Sequence, residues 1–331
     1  MFKIILFLIF YLPPMLLRLP CYLFLFAIVL ATTFVNTGCS KSNDDGDAYI
    51  DPNPFPELPE DNTGSRTRSI TYVYDRRAVD TTYPPKIDSS VILFSYDSVG
   101  KIKRIRLTHG DFFVYDFDFE RNSNRLTAIH CTYWSIKPEP KLYQADLELQ
   151  YNTSGSPFLM KAVVQSPSLT EVDSFIIKSS GNRIDTVIDR ALAVGTDADK
   201  YAFTYNGSGD ITQMDHIRTS GNFFVYEDIY KYTLSGSPAA LALGNEAIFW
   251  YFFAQLVNVS SNTDFMLPAI LFHSTKQPSK FVLQVSGFYT GTYNYQTEYY
   301  TTGRPKKMTA NVITQAGAFY AREAYYYTYA Q

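Results

Sequence analysis

Four histidines, three cysteines and several short acidic runs are the residues of this 331-residue chain whose types could do chemistry. His109, His130, His216 and His273 share no metal-ligand spacing, and neither His-Glu-x-x-His nor Cys-x-x-Cys occurs, so no metal centre is written in the sequence. Cys131, between His130 and Thr132, has no activating arrangement around it and reads as a buried, inert thiol. Gly207-Ser208-Gly209 lacks the pattern of a nucleophile elbow and reads as a turn. Phosphate-cradling glycine loops are missing as well.

Carboxylates are the remaining source of chemistry. Asp116, Asp118 and Glu120 alternate along one strand face, about 7 Å apart at successive positions, as do Asp146 and Glu148. Glycoside hydrolysis needs two carboxyl groups flanking the scissile bond and leaves no short motif, so these runs are its candidates. The plainer reading makes them an outward polar face opposite Phe117 and Phe119. Asp97 to Gly100 and Asn43 to Asp47 could each approach calcium, but neither has the ligand number of a calcium loop. No catalytic, cofactor-binding or metal-binding residue is assigned, and no cofactor is expected.

The elements that must position these residues are announced by a repeat. Taking a turn glycine as origin, the position four before it reads Tyr96, Tyr151, Tyr205, Tyr232 and Tyr299, and the position six before it Phe94, Leu149, Phe203 and Tyr230. Residues two apart share a strand face, so each unit brings a core-facing aromatic stripe to a turn. Asp97, Asn152 and Asn206 can bond the turn backbone, and Gly100, Gly155, Gly209, Gly236 and Gly303 supply the left-handed residue of a type I turn with a bulge. An apolar residue follows five positions on, at Ile105, Met160, Met214, Leu241 and Met308. Two looser units centre on Asn124 and Gly181, each one residue out of step, a slip that bulges absorb. Two past the glycine, Ile102 and Ile211 alternate with Pro157, Pro238 and Pro305; either the outgoing strand bulges early or this position packs on the turn.

Turn origins 24 to 31 residues apart describe a repeat array, interrupted between 236 and 303. Within that gap Ala247 to Val259 is almost wholly apolar and exceeds ordinary strand length, which predicts a buried helix near 246–257 with Asn245 as its N-cap; a long strand is the rival. The expected fold is all-β: an antiparallel meander of about 14–16 strands curled into a barrel-like or rolled sheet around that helix, since so long a meander has costly edges unless it closes. Its span is 69–331, a single domain.

Charged residues are 18% of the chain and aromatics 16%, with a formal net charge of -3. That balance offers nucleic acid no electrostatic footprint, and Lys101 to Arg106 reads as the solvated face of a strand. The first 38 residues are strongly apolar; Cys21 to Val35 has the length of a secretory h-region, and Met15, just ahead of Arg18, would give a leader of ordinary proportions. Asn36-Thr37-Gly38-Cys39-Ser40 then resembles the lipobox of bacterial lipoproteins, with Thr37 and Gly38 matching and Asn36 departing from the usual Leu. That resemblance implies cleavage before Cys39 and acylation of its thiol, palmitate included. Ser40 to Asp45 is similar to the export tag of surface-displayed lipoproteins of Gram-negative bacteria. Residues 39–68, with Pro52, Pro54, Pro56 and Pro59 in an acidic context, read as a disordered tether.

Repeated Tyr-[Asp/Asn]-x-x-Gly hairpins, a late apolar helix, a Ser-x-x-x-Pro connection at Ser274 to Pro278 and a tyrosine-rich last strand together resemble a group of uncharacterised surface-lipoprotein domains of Gram-negative bacteria. The likeness covers about residues 69–331. It implies a porin-like or rolled β fold and transfers no catalytic residues. Tyr96-Asp97-Ser98-Val99-Gly100 also resembles the Tyr-Asp repeats of Rhs-type shells, though the other units lack the Asp. The functional expectation is a lipid-anchored, surface-exposed outer-membrane protein without enzymatic activity, contacting a glycan or a protein. Its rivals are a secreted glycan-active hydrolase and an integral outer-membrane barrel.

Overall fold

The structure, a computed structural model, describes residues 65–75, 87–109, 113–135, 141–165, 170–189, 197–220, 223–257, 272–285, 289–314 and 319–330. The expected leader, Cys39, the tether up to residue 64 and the run Asn262 to Pro268 lie outside them. The chain divides into two units, Met1–Asp51 and Pro52–Gln331, and every described residue belongs to the second.

Sixteen antiparallel strands form one closed barrel among the described residues, each beside its neighbours in sequence, and β1 pairs with β16 to complete the ring. They are β1 (Arg66–Asp75), β2 (Ile87–Tyr96), β3 (Ile102–His109), β4 (Phe113–Asn122), β5 (Arg125–Ser135), β6 (Lys141–Tyr151), β7 (Pro157–Gln165) and β8 (Thr170–Ser180). The second half comprises β9 (Arg183–Asp189), β10 (Asp197–Tyr205), β11 (Ile211–Ser220), β12 (Phe223–Pro238), β13 (Lys276–Val285), β14 (Tyr289–Tyr299), β15 (Pro305–Thr314) and β16 (Phe319–Ala330). Between β12 and β13 lies the helix α1 (Asn245–Leu256). Closure satisfies the backbone of the two terminal strands, which an open sheet of this length would leave bare.

The repeat accounts for one end of the barrel. At Asp97, Asn152, Asn206 and Tyr300 the same pair of backbone bonds recurs, as in Gly100 N–H to Asp97 O at 3.0 Å and Asp97 N–H to Lys101 O at 2.8 Å. Gly100, Gly155, Gly209 and Gly303 all have positive φ, as a type I turn with a bulge requires. Ser123-Asn124 and Gly181-Asn182 are shorter two-residue turns, with the register shift displaced into the strands at Glu120/Arg121 and Lys178/Ser179. The early-bulge alternative is realised: Tyr96 faces Ile102 while Ser95 faces Arg104, so Lys103 is the extra residue and both Ile102 and Ile105 turn inward. Pro157 and Pro305 open their strands, where no ladder N–H is required.

Gly236 is a correction. It makes no turn and has no positive φ; β12 runs through it to Pro238, with residues 235–237 bulged between the pairs Leu234–Pro278 and Pro238–Lys276. Because Ala239 N–H continues the pairing onto Thr275 O, the strand has a partner ahead of it and no reason to reverse. The tyrosine stripe also needs refining: Tyr232 is buried, Tyr299 is 39% exposed, and Tyr96, Tyr151 and Tyr205 are half-buried at the rim. Their hydroxyls donate to Thr67, Leu126 and Ile184 carbonyls at 2.6, 2.6 and 2.7 Å. Arg66, Arg125 and Arg183, each leading the odd-numbered strand alongside, lie over those rings.

A ring of sixteen strands encloses more space than strand side chains alone can fill. The helix supplies the difference. Ala247 to Ala254 are all buried, so α1 is apolar around its whole circumference, which a helix tolerates only inside a core. Trp250 and Phe253 meet Phe117 of β4 edge-on at 6.0 Å, and Phe252 meets Phe175 of β8 and Tyr201 of β10 at 5.6 and 4.7 Å. The expected cap is replaced: Gly244 holds the N-cap position without a side-chain bond, and Asn245 Nδ2 donates instead to Asn182 O at 2.7 Å.

Polar contacts fasten this plug to the turn end. Glu246 receives two bonds from Arg121, the shorter at 2.6 Å, and Thr67 Oγ1 donates to Ala240 O. On the return path Asp210 Oδ1 accepts from Thr275 N–H and Oγ1 at 2.8 and 3.0 Å. His273, buried against Tyr205, stands beside that carboxylate, and its pKa falls from 6.5 to about 4 because burial disfavours the imidazolium.

Two outcomes are expected. Gly303 has a left-handed backbone in open space, so Gly303→Ala costs about 1–2 kcal/mol of unfolding free energy from backbone conformation alone. At Gly155 an added Cβ would also stand 2.7 Å from the Arg125 guanidinium and push it off Tyr151, so Gly155→Ala costs about 0.5–1 kcal/mol more in denaturant unfolding. Between about pH 6.5 and 4 the unfolded chain binds a proton at His273 that the folded chain refuses. Stability therefore falls by roughly 2–3 kcal/mol as pH drops through that window, and His273→Phe flattens this part of the curve.

Candidate functional site

The acidic runs singled out in the sequence lie on the outer wall and are engaged there. Arg106 holds Asp116 through two bonds of 2.7 and 2.6 Å, and Arg104 holds Asp118 likewise at 2.6 and 2.7 Å. His130 spans Asp146 at 2.6 Å and Glu120 at 3.1 Å; the Asp146 bond is the main reason its pKa rises, since both ring nitrogens meet carboxylates. These are cross-strand pairs of a solvated face, as the plainer reading had it, and they leave no carboxylate pair poised across a cleft. Lys103, Arg104 and Arg106 are exposed on the same wall.

The other flagged residues are structural. Cys131 is buried in the core, and burial pushes its thiol pKa well up, the opposite of activation. Asp97 Oδ1 is occupied by the N–H groups of Val99 and Lys101 at 3.0 and 2.8 Å. Gly209 is the turn residue expected. His109 Nδ1 meets Ser90 Oγ at 2.8 Å, with Ser90 only 1% exposed, too deep for a substrate to reach. Among the described residues no three His, Cys, Asp or Glu side chains stand close enough to hold a metal ion.

What remains is the lumen beyond the plug. Inward side chains of the turn-end half are buried, whereas at the opposite end Phe113, Tyr133, Tyr143, Asp173, Asp199, Tyr201, His216, Tyr226, Asp228 and Tyr230 are all partly solvent-accessible. Solvent thus reaches inward side chains at the end away from the repeated turns.

Two walls line this space. On β4, β5 and β6 the register sets Tyr115, Tyr133 and Tyr143 side by side. Their rings stack with centroids 5.3 and 4.7 Å apart and planes within 18° and 6°, offset by the strand spacing. Tyr115 is fully buried, Tyr133 and Tyr143 are half-buried, and among the described residues no ring covers the far face of Tyr143. Burial is the first cause that pushes the Tyr133 hydroxyl up to about 12, so it stays a neutral donor at any ordinary pH.

The second wall runs over β8 to β12. Val164 of β7, which pairs with Ala145 one inward position deeper than Tyr143, faces Glu171, and Asp173 follows on the same face of β8. Asp173 has its pKa raised by burial first and then by Asp189 and Glu171. His216 stacks on Tyr201 at 4.2 Å and meets Tyr226 edge-on at 5.3 Å. Its Nε2 lies 3.4 Å from Asp199 Oδ1 and its Nδ1 4.0 Å from Asp228 Oδ2, longer than good charge-assisted bonds. Burial, the leading cause, lowers the His216 pKa despite these carboxylates, so the ring is neutral at pH 7.

Apart from His216, weighed only as a metal ligand, none of this wall was singled out in the sequence, yet a signal existed. Asp199 precedes Tyr201, Phe203 and Tyr205 at period two, Asp228 precedes Tyr230 and Tyr232, and Asp173 precedes Phe175 and Ile177. Each acid continues an inward stripe past the apolar part, which marks a polar chamber above a filled core. A second cleft of about 220 Å³, at the turn end, is lined by Arg125, Tyr151, Asn182 and Glu246. Its Tyr151 hydroxyl, Asn182 carbonyl and Glu246 carboxylate already serve the clamp and the plug.

No protein-family model matches the chain, and no curated protein does, so neither likeness read from the sequence is shown as a family. Solved structures give a likeness of form. The crystal structure of a porin-like protein from Bacteroides vulgatus ATCC 8482 covers 79% of this chain and 98% of its own at 12% identity and a TM-score of 0.32. That of a porin-like protein from Bacteroides uniformis ATCC 8492 covers 80% and 97%, at 12% identity and a TM-score of 0.31. The closed sixteen-strand barrel itself rests on the pairing register of this chain.

Proposed function

We propose that this protein is a non-enzymatic, lipid-anchored cell-surface receptor of the outer membrane whose barrel is a cup for a glycan. The observation that carries the reading is the tyrosine stack. Sugar rings present flat C–H faces that pack on aromatic rings, and Tyr143, partly exposed, is the last ring of the stack among the described residues. Because α1 fills the barrel behind it, a ligand entering this end would be held there and not conducted through.

Anchorage rests on the lipobox-like Asn36 to Ser40, with Cys39 as the acylated residue and the Pro-rich stretch after it as a spacer of about 3 Å per residue. The outer wall favours a barrel held above the bilayer over one within it. Exposed Arg104, Glu148, Lys161, Lys178, Lys231 and Lys280 sit on outward positions of β3, β6, β7, β8, β12 and β13, where a membrane barrel needs an apolar band. The hydrolase alternative draws nothing from the carboxylates that suggested it, since they are paired on that outer wall.

Tyr143→Ala and Tyr133→Ala are each expected to weaken retention on a panel of immobilised bacterial and host polysaccharides by about tenfold with unchanged thermal unfolding. Undiminished retention in both variants would remove the lumen as the site. Cys39→Ser should abolish labelling by radioactive palmitate and move the protein from the membrane to the soluble fraction. If membrane association survives that change, the lipid anchor is wrong.

A further inference from the structure

We infer that the glycan taken by this cup is amine-bearing, a sugar with a free ammonium group, because the chamber bordered by the tyrosine stack is walled by acids from β8 to β12. This inference rests on the glycan reading and adds the charge of the ligand to it. Two observations of different kinds meet here: an aromatic face that fits a sugar ring, and carboxylates beside it that fit a cation.

The neighbours of that face are specific. On β7 the inward Val164 pairs with Ala145, one inward position deeper than Tyr143, and Glu171 and Asp173 of β8 lie opposite Val164 and Ala162. Glu171 is near enough to act electrostatically on Tyr133, and Asp189 acts on Asp173. Asp199 and Asp228 continue the wall to β12. Arg218 is the only Lys or Arg facing this half of the lumen among the described side chains, and it bonds Tyr226. Arg218 lies directly across the ladder from Asp199, and the other group that could neutralise these acids is His216, centred between Asp199 and Asp228. It is uncharged at neutral pH, and Asp199 Oδ1, Asp228 Oδ1 and His216 Nε2 are buried without a hydrogen-bond partner.

Like charges crowded at low dielectric carry a standing cost that an incoming cation relieves, and a low-dielectric wall of one sign concentrates such ligands. An ammonium on a sugar ring held in this chamber would present its N–H donors to the acids lining it, whose oxygens can only accept when ionised. Anionic glycans would meet the same wall as repulsion, and neutral ones would desolvate it without return.

The test uses the purified full-length chain and two probes that differ only at nitrogen: chitosan oligosaccharides, with free amines, and fully N-acetylated chitin oligosaccharides of the same length. Binding is measured by calorimetry in weakly acidic buffer that keeps the amines charged. The expected result is that the amine form binds about tenfold tighter, with a preference that shrinks at high salt. Asp173→Asn, which preserves shape, should reduce the preference, while Asp118→Asn on the outer wall should not. Equal binding of the two forms, or preference for the acetylated one, overturns the charge inference and leaves the glycan reading standing. Failure of both forms, with the Tyr143→Ala variant also unchanged on every other glycan tried, overturns both.

Discussion

Closing a sixteen-stranded sheet creates a lumen, and the need to fill that lumen governs everything else about this protein. Eight-stranded barrels can fill their interior with their own side chains; at twice that number a void remains that folding cannot leave dry and empty. Here a single helix is drawn inside, apolar on every side from Ala247 to Ala254. Each large aromatic that it buries contributes about 1.5–3 kcal/mol, so α1 is a principal source of core stability. A helix of such composition has no stable place in water, and so barrel and plug must form together.

The plug imposes an asymmetry. A helix of twelve residues rises about 18 Å, which fills part of a barrel whose strands run to sixteen residues. Its polar links, Arg121 to Glu246, Asn245 to Asn182 and Asp210 to Thr275, all lie toward the repeated turns. That end is therefore shut, and its short turns are stiffened by tyrosine hydroxyls and overlying guanidinium groups. The other end keeps the unfilled volume, and there the inward stripes change from Phe, Leu and Ile to Tyr, Asp and His. Filling one half and lining the other are two consequences of one helix length.

Much of this was legible in the sequence because it depends on local rules. Period-two aromatic stripes, Asx side chains and glycines at fixed offsets are sufficient to specify hairpins, and a run of thirteen residues from Ala247 to Val259, eleven of them apolar, specifies a buried segment. Gly236 misled because a turn signal needs a strand to turn back upon. Residues 239–243 instead lead into the helix, a decision made by Gln277 and Thr275 some forty positions away. Asn245 misled for a similar reason: an amide that could cap its own helix found a carbonyl of another hairpin. The candidate site was the least legible part, since Tyr115, Tyr133 and Tyr143 become one surface only through the β4–β5–β6 register. The outer carboxylates drew attention first because they are adjacent in sequence, whereas the inner ones are adjacent only in space.

The contrast between the two sets of acids carries the functional argument. On the outer wall four of the five flagged carboxylates have a basic partner on a neighbouring strand: Asp116 with Arg106, Asp118 with Arg104, Glu120 and Asp146 with His130, while Glu148 is exposed. Such pairing in high dielectric adds little stability, and its effect is to keep that stretch of wall polar. On the inner wall, where burial makes isolated charge costlier, Asp173 stands near Asp189 and Glu171, and His216 is held neutral between Asp199 and Asp228. A fold that pairs its charges where pairing matters little, and concentrates like charges where repulsion matters most, is storing an electrostatic debt in its lumen. A cationic group on a ligand is the simplest agent that discharges it.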